Sequence, residues 1–143
     1  MNKLTLAMTA ALLLLCFSGC KKDDASTNAD QFTDKLTLGL GLNSSNLFQL
    51  TGETTTFTAT PNLMIYWRLE SKDDMAGSAV TIKIEKLVSG TYTTVQSIPY
   101  PNPQSYGHIM LSSFPMTQTG SFRTTGILTT GTKTVATRDF TVQ

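Results

Sequence analysis

Leu63-Met64-Ile65-Tyr66-Trp67-Arg68-Leu69-Glu70 alternates apolar with mixed side chains over eight residues. A period of two is that of a β-strand, whose successive side chains point to opposite faces. Leu63, Ile65, Trp67 and Leu69 therefore form one face turned into a core. Trp67, the single Trp of the chain, reads as core rather than as a platform for a ligand.

The same pattern recurs on both sides. Upstream, Leu36, Leu38, Leu40 and Leu42 alternate with Thr37, Gly39 and Gly41, a strand with one buried face. Asn43-Ser44-Ser45-Asn46 breaks it, and Leu47-Phe48-Gln49-Leu50 reads as a short edge segment. Residues 54–60 are Thr-rich, with Phe57 and Ala59 on one face, and Pro61-Asn62 turns the chain. Downstream, residues 71–78 (SKDDMAGS) form a polar turn, and Val80, Ile82 and Ile84 alternate with Thr81, Lys83 and Glu85. Ser89-Gly90 signals a hairpin into a strand over 92–98. Pro99, Pro101 and Pro103 forbid regular pairing through the next loop. Strands over 106–113, 120–129 and 134–142 complete the set, with Thr130-Gly131-Thr132-Lys133 as the last turn. No window after the first twenty residues carries a helical period, and 25 Thr favour strands. Eight or nine strands at ~8–12-residue spacing indicate an all-β sandwich or barrel.

Several segments resemble immunoglobulin-like domains. Residues 52–59 (GETTTFTA) resemble strand B, with Ala59 in place of the first Cys. Ile65-Tyr66-Trp67-Arg68 is similar to strand C with its core Trp. Leu111-Ser112-Ser113-Phe114 and Thr119-Gly120-Ser121-Phe122-Arg123-Thr124 are similar to the E–F corner and strand F. Phe122 then stands at the tyrosine-corner position and Thr124 at the second Cys. The resemblance spans roughly 52–142 and implies an immunoglobulin-like antiparallel β-sandwich. Fibronectin-type and cadherin-type sandwiches stay open, and a closed barrel is the competing architecture.

The first twenty residues read as an address. Lys3 supplies a charge, and residues 4–17 (LTLAMTAALLLLCF) are almost wholly apolar. Fourteen residues rising 1.5 Å each span about 21 Å, too short for a ~30 Å hydrocarbon core. A signal peptide over 1–19 is the reading. Phe17-Ser18-Gly19-Cys20 resembles the lipobox of bacterial lipoproteins, with Phe17 in place of the usual Leu. The resemblance implies cleavage before Cys20, acylation of Cys20 (palmitate-type chains), and a membrane partner through that lipid. Two or more chains hold stably at ~0.8 kcal/mol per buried CH₂. Lys21-Lys22-Asp23-Asp24 resembles the surface-export signals of a Gram-negative lineage, which implies the outer membrane and its cell-surface leaflet. The competing reading is a solvated linker on a periplasm-facing lipoprotein. Residues 20–34 form a polar tether, and 35–143 the folded domain.

Removing Lys3 with the leader leaves ten basic against ten acidic residues, a net charge of zero. No basic field marks a nucleic-acid binder. Both Cys lie at or before position 20, so the domain has no disulfide framework, Cys nucleophile or thiolate metal site. One His excludes sites built on two imidazoles. His108 beside Ser105 or Ser112, with Asp139, has no nucleophile motif to support it and reads as a strand-surface His. Asp73-Asp74 lacks the rest of a calcium loop and reads as a solvated turn. Glu53, Glu70 and Glu85 sit on separate strands and form no glycosidase pair. No metal, cofactor or catalytic set is expected.

One loop stands above this background. Residues 98–108 carry Tyr100, Asn102, Gln104, Tyr106 and His108 among prolines. Rings with amide neighbours suit sugar faces, and a stiff loop loses less entropy on binding. The competing reading is that the two Tyr cover the end of the sandwich. The expected function is a non-catalytic binding or structural module for a protein partner. The alternative is a carbohydrate-binding accessory lipoprotein using residues 100–108.

Overall fold

A computed structural model of the chain describes residues 31–102 and 107–143. The leader, Cys20, Lys21, Lys22, Asp23, Asp24, Pro103, Gln104, Ser105 and Tyr106 lie outside the described residues. Among the described residues ten strands follow in order: β1 Lys35–Gly39, β2 Gly41–Leu42, β3 Leu50–Thr51, β4 Thr56–Phe57, β5 Met64–Glu70, β6 Val80–Val88, β7 Thr91–Tyr100, β8 Ile109–Pro115, β9 Gly120–Leu128 and β10 Lys133–Val142. They form a three-stranded sheet β1-β5-β8 and a five-stranded sheet β4-β10-β9-β6-β7, with β2-β3 as a small separate ribbon. All pairings are antiparallel except the short β4–β10 contact.

The two sheets bury their facing side chains between them. Ile65, Trp67 and Leu69 from β5 meet Val80, Ile82 and Ile84 from β6, all fully buried. Phe114, Phe122 and Phe140 fill the rest, with Phe122 and Phe140 stacked at 5.3 Å. Each such side chain contributes about 1.5–3 kcal/mol through loss of apolar surface from water. Gly126 on β9 makes room for this packing. A Cβ there would lie 2.6 Å from a methyl of the buried Leu69.

The strand order is that of an immunoglobulin-like sandwich, A-B-E against G-F-C and an added strand beside C. Two strands carry different places in that order from those their motifs suggested. The Trp67 strand pairs with β1 and β8, so it is strand B rather than strand C. Residues 52–59 are not strand B. Only Thr56–Phe57 is extended, running parallel to the last strand, and Ala59 is exposed instead of facing the core. The alternation pattern marks a buried face but is blind to which sheet the strand joins. The E and F segments are β8 and β9, with Phe122 and Thr124 both buried.

Other differences are local. The Leu36 to Leu42 alternation does not continue as one strand: Leu36 and Leu38 are buried, whereas Leu40 and Leu42 are exposed. The chain bends after Gly39, where a Cβ would sit 2.8 Å from the Thr51 carbonyl, so β3 can cross closely only over glycine. Residues 47–49 form a turn rather than an edge strand. Pro99 lies inside β7, opposite Thr81. β7 is an edge strand, where a residue without an N–H is tolerated. Ser89 and Gly90 both adopt positive φ (50° and 82°), the geometry of a tight hairpin turn.

Candidate functional site

Within residues 100–108, Tyr100, Asn102 and His108 lie against the domain, whereas Pro101 is exposed. Tyr100 is half-buried, packs edge-on to Trp67 at 5.0 Å, and its hydroxyl donates to the Ser113 carbonyl (2.6 Å). It ties β7 to β8 across the open side of the sandwich, and burial pushes its phenol above the ordinary value. Asn102 is buried. His108 stacks flat on Phe32 (4.4 Å, 4° between planes), and its Nδ1–H donates to the Ser71 carbonyl (3.0 Å). Tyr100, Asn102 and His108 thus cover and close the domain, while Gln104 and Tyr106 fall outside the described residues. The SKDDMAGS segment is similarly committed. Met75 is core, Asp73 pairs with Lys133, and Asp74 caps the Ala76 N–H (2.7 Å). Asp139 is engaged by Arg123, on a different strand from the one that follows His108.

A different feature is concave and apolar. Leu42, Leu47, Phe48, Ile109 and Leu111 line a groove of about 320 Å³. Ile109 and Leu111 come from β8, at the edge of the three-stranded sheet, opposite Glu70 and Arg68 of β5. The other wall is the 43–49 loop. Leu47 is 67% and Phe48 53% exposed, beyond what scattered surface apolars require.

The loop is held firmly. Asn43 Oδ1 accepts the N–H groups of Ser45 (2.9 Å) and Asn46 (3.2 Å), and Asn46 Oδ1 accepts that of Phe48 (3.1 Å). Such side-chain-to-backbone turns explain why the Asn43-Ser44-Ser45-Asn46 run interrupts the strand. Arg68 then fixes the loop to the sheet. Its Nε donates to the Phe48 carbonyl (2.9 Å), and its Nη1 pairs with Glu70.

Glu70 links this loop to the start of the domain. Its Oε1 accepts the Thr33 N–H (2.8 Å), and Asp34 accepts the Lys72 N–H (2.9 Å). Burial opposes the Glu70 charge, but Thr33 and Arg68 overcome it and hold the carboxyl below its ordinary value. Residues 32–34, at the end of the polar tether, are therefore clasped to the sandwich beside the groove.

The groove residues were not singled out by sequence reasoning. The signal was Leu47-Phe48, two adjacent large apolar residues inside a polar turn. Neighbours in a strand cannot both face one core, so such a pair leaves apolar surface outside.

Fold and surface define an immunoglobulin-like β-sandwich with an apolar groove on its smaller sheet. No family model and no curated protein matches the chain. Among solved structures it is similar to the soluble domain of PmoD from Methylocystis sp. ATCC 49242 (Rockwell). The TM-score is 0.46 at 13% identity, over 76% of this chain and 89% of that one. It is also similar to superoxide reductase (neelaredoxin) from Ignicoccus hospitalis, with a TM-score of 0.42 at 6% identity, over 83% and 89%.

Proposed function

We propose that this chain is a cell-envelope lipoprotein, anchored through acylated Cys20, whose sandwich is a non-catalytic binding or structural module. Support for the anchor is the Phe17-Ser18-Gly19-Cys20 motif after a short apolar run. Lys21-Lys22-Asp23-Asp24 supports placement on the outer surface of the outer membrane. The observation that carries the module reading is the groove, whose exposed lining is apolar and rigidly held. Such a surface suits an apolar contact, the kind a protein or lipid partner supplies. A carbohydrate partner is less well served. The Tyr100 hydroxyl and His108 Nδ1–H, which would meet sugar hydroxyls, are spent on Ser113 and Ser71.

Membrane fractionation of cells expressing Cys20→Ala tests the anchor. The variant is expected in the soluble fraction, with the native chain in the membrane. Continued membrane retention of the variant contradicts the reading.

A further inference from the structure

The clasp and the groove share one chain of contacts. Phe32 stacks on His108, whose neighbour Ile109 lines the groove. Thr33 reaches Glu70, Glu70 pairs with Arg68, and Arg68 holds the carbonyl of Phe48 on the opposite wall. The tether therefore leaves the domain at the mouth of the groove.

The chain beyond that point limits what the groove can meet. Eleven residues, 21–31, separate Cys20 from Phe32, a length of chain that can span at most ~36–40 Å. A domain of this size is ~34 Å across, so its far side can stand that much farther from the bilayer than the exit does. The surface beside the exit is the part kept nearest the membrane. The tether itself (KKDDASTNADQ) holds only the two small Ala as apolar residues and cannot fill an apolar groove. What it brings to the groove is the bilayer.

The geometry points to a second membrane contact: Leu47 and Phe48 dip into the interface of the anchoring bilayer, and the groove they wall meets its acyl chains. This rests on the lipoprotein reading. The module then lies with its three-stranded sheet toward the membrane and its five-stranded sheet outward. Anchoring and contact reinforce each other, because the tether converts a weak interfacial contact into an intramolecular one.

Fluorescence quenching in vesicles tests this on the full acylated chain. Phe48→Trp and Thr137→Trp are each reconstituted in phosphatidylethanolamine–phosphatidylglycerol vesicles, with or without brominated acyl chains. Trp67 is fully buried, and the native chain supplies its baseline. The indole introduced by Phe48→Trp is expected to lose at least half its emission to bromine, and that introduced by Thr137→Trp almost none. Adding Phe32→Ala, which removes one of the contacts that hold the exit beside the groove, is expected to weaken the quenching while the protein stays on the vesicles. Equal quenching of the two indoles, or none, overturns the inference. Mass spectrometry of the same protein separates the two failures. An unacylated Cys20 overturns the anchor and this inference with it, whereas an acylated chain without quenching overturns the inference alone.

Discussion

On the outer face of the five-stranded sheet, Arg123 forks onto Asp139 (2.7 and 3.1 Å) and lies 4.1 Å over the Tyr92 ring. Thr125 meets Thr137 there, so β9 and β10 satisfy one another across the strands, while Lys83 pairs with Glu85 along β6. In the three-stranded sheet, β8 has no further strand beside it among the described residues, and on the outer face Ile109 and Leu111 share a groove with Leu42, Leu47 and Phe48. Polar cross-strand pairs need a partner at each register position. Over this face the 43–49 loop is laid across the sheet and fastened to β5 through Arg68. Here the loop brings apolar residues, so one face is self-contained and the other is left with a surface to be covered.

The largest expected effect belongs to the interior that both faces share. Trp67→Ala is expected to cost about 3–5 kcal/mol by leaving a cavity, read as a shift in the urea midpoint. Gly126→Ala adds volume against Leu69 and is expected to cost about 1–3 kcal/mol. A variant that unfolds no earlier than the native chain would show that the sheets do not close on each other as described.

Arg68→Ala sharpens the contrast between the faces. It removes the fastening of the 43–49 loop and a partner of Glu70, for an expected loss of about 1–3 kcal/mol. Hydrogen exchange at Ser45, Asn46 and Phe48 should rise with it. Unchanged protection of the loop would mean that its own Asn turns suffice.

The clasp at Thr33 is expected to depend on pH. The Glu70 carboxyl is depressed in the folded state, so its contribution is complete above the ordinary value of 4.5 and is lost as pH falls through the lower folded value. The protection of the Thr33 amide, taken relative to the exchange rate of an unstructured chain at the same pH, should therefore be full at neutral pH and fall in acid, whereas Glu70→Gln flattens that dependence. The smallest effect is expected for Arg123→Ala. Its ion pair is exposed to solvent, where pairing adds little, and the urea midpoint should barely move. A large shift would overturn the picture of that face as polar surface alone.

Much of the architecture was legible in the sequence, because alternating side chains report burial directly. Leu63 to Glu70, Val80 to Glu85 and the last two strands read correctly for that reason. Strand placement was less legible. Residues 56–57 join the sheet through a two-residue parallel contact that leaves no periodic trace, and the Trp67 strand carries nothing local that says B rather than C. The 100–108 residues illustrate a further limit. Tyr, Asn and His have the same chemistry whether they meet a ligand or a neighbouring carbonyl, and only the fold shows Tyr100 against Ser113 and His108 between Phe32 and Ser71. The groove escaped notice because it joins residues more than sixty positions apart, Leu47 and Ile109 among them.

The two faces can be compared in one labelling experiment. On the proposed reading Cys16 leaves with the leader and Cys20 carries the lipid, so Phe48→Cys and Thr137→Cys would each introduce a single free thiol. A membrane-impermeant maleimide is then applied to the protein on vesicles and to a soluble form that also carries Cys20→Ala. On vesicles, the thiol at position 48 is expected to react at least tenfold more slowly than that at 137, and in detergent-free soluble Cys20→Ala protein the gap should close. Equal rates on the vesicle surface would contradict a groove turned toward its own membrane.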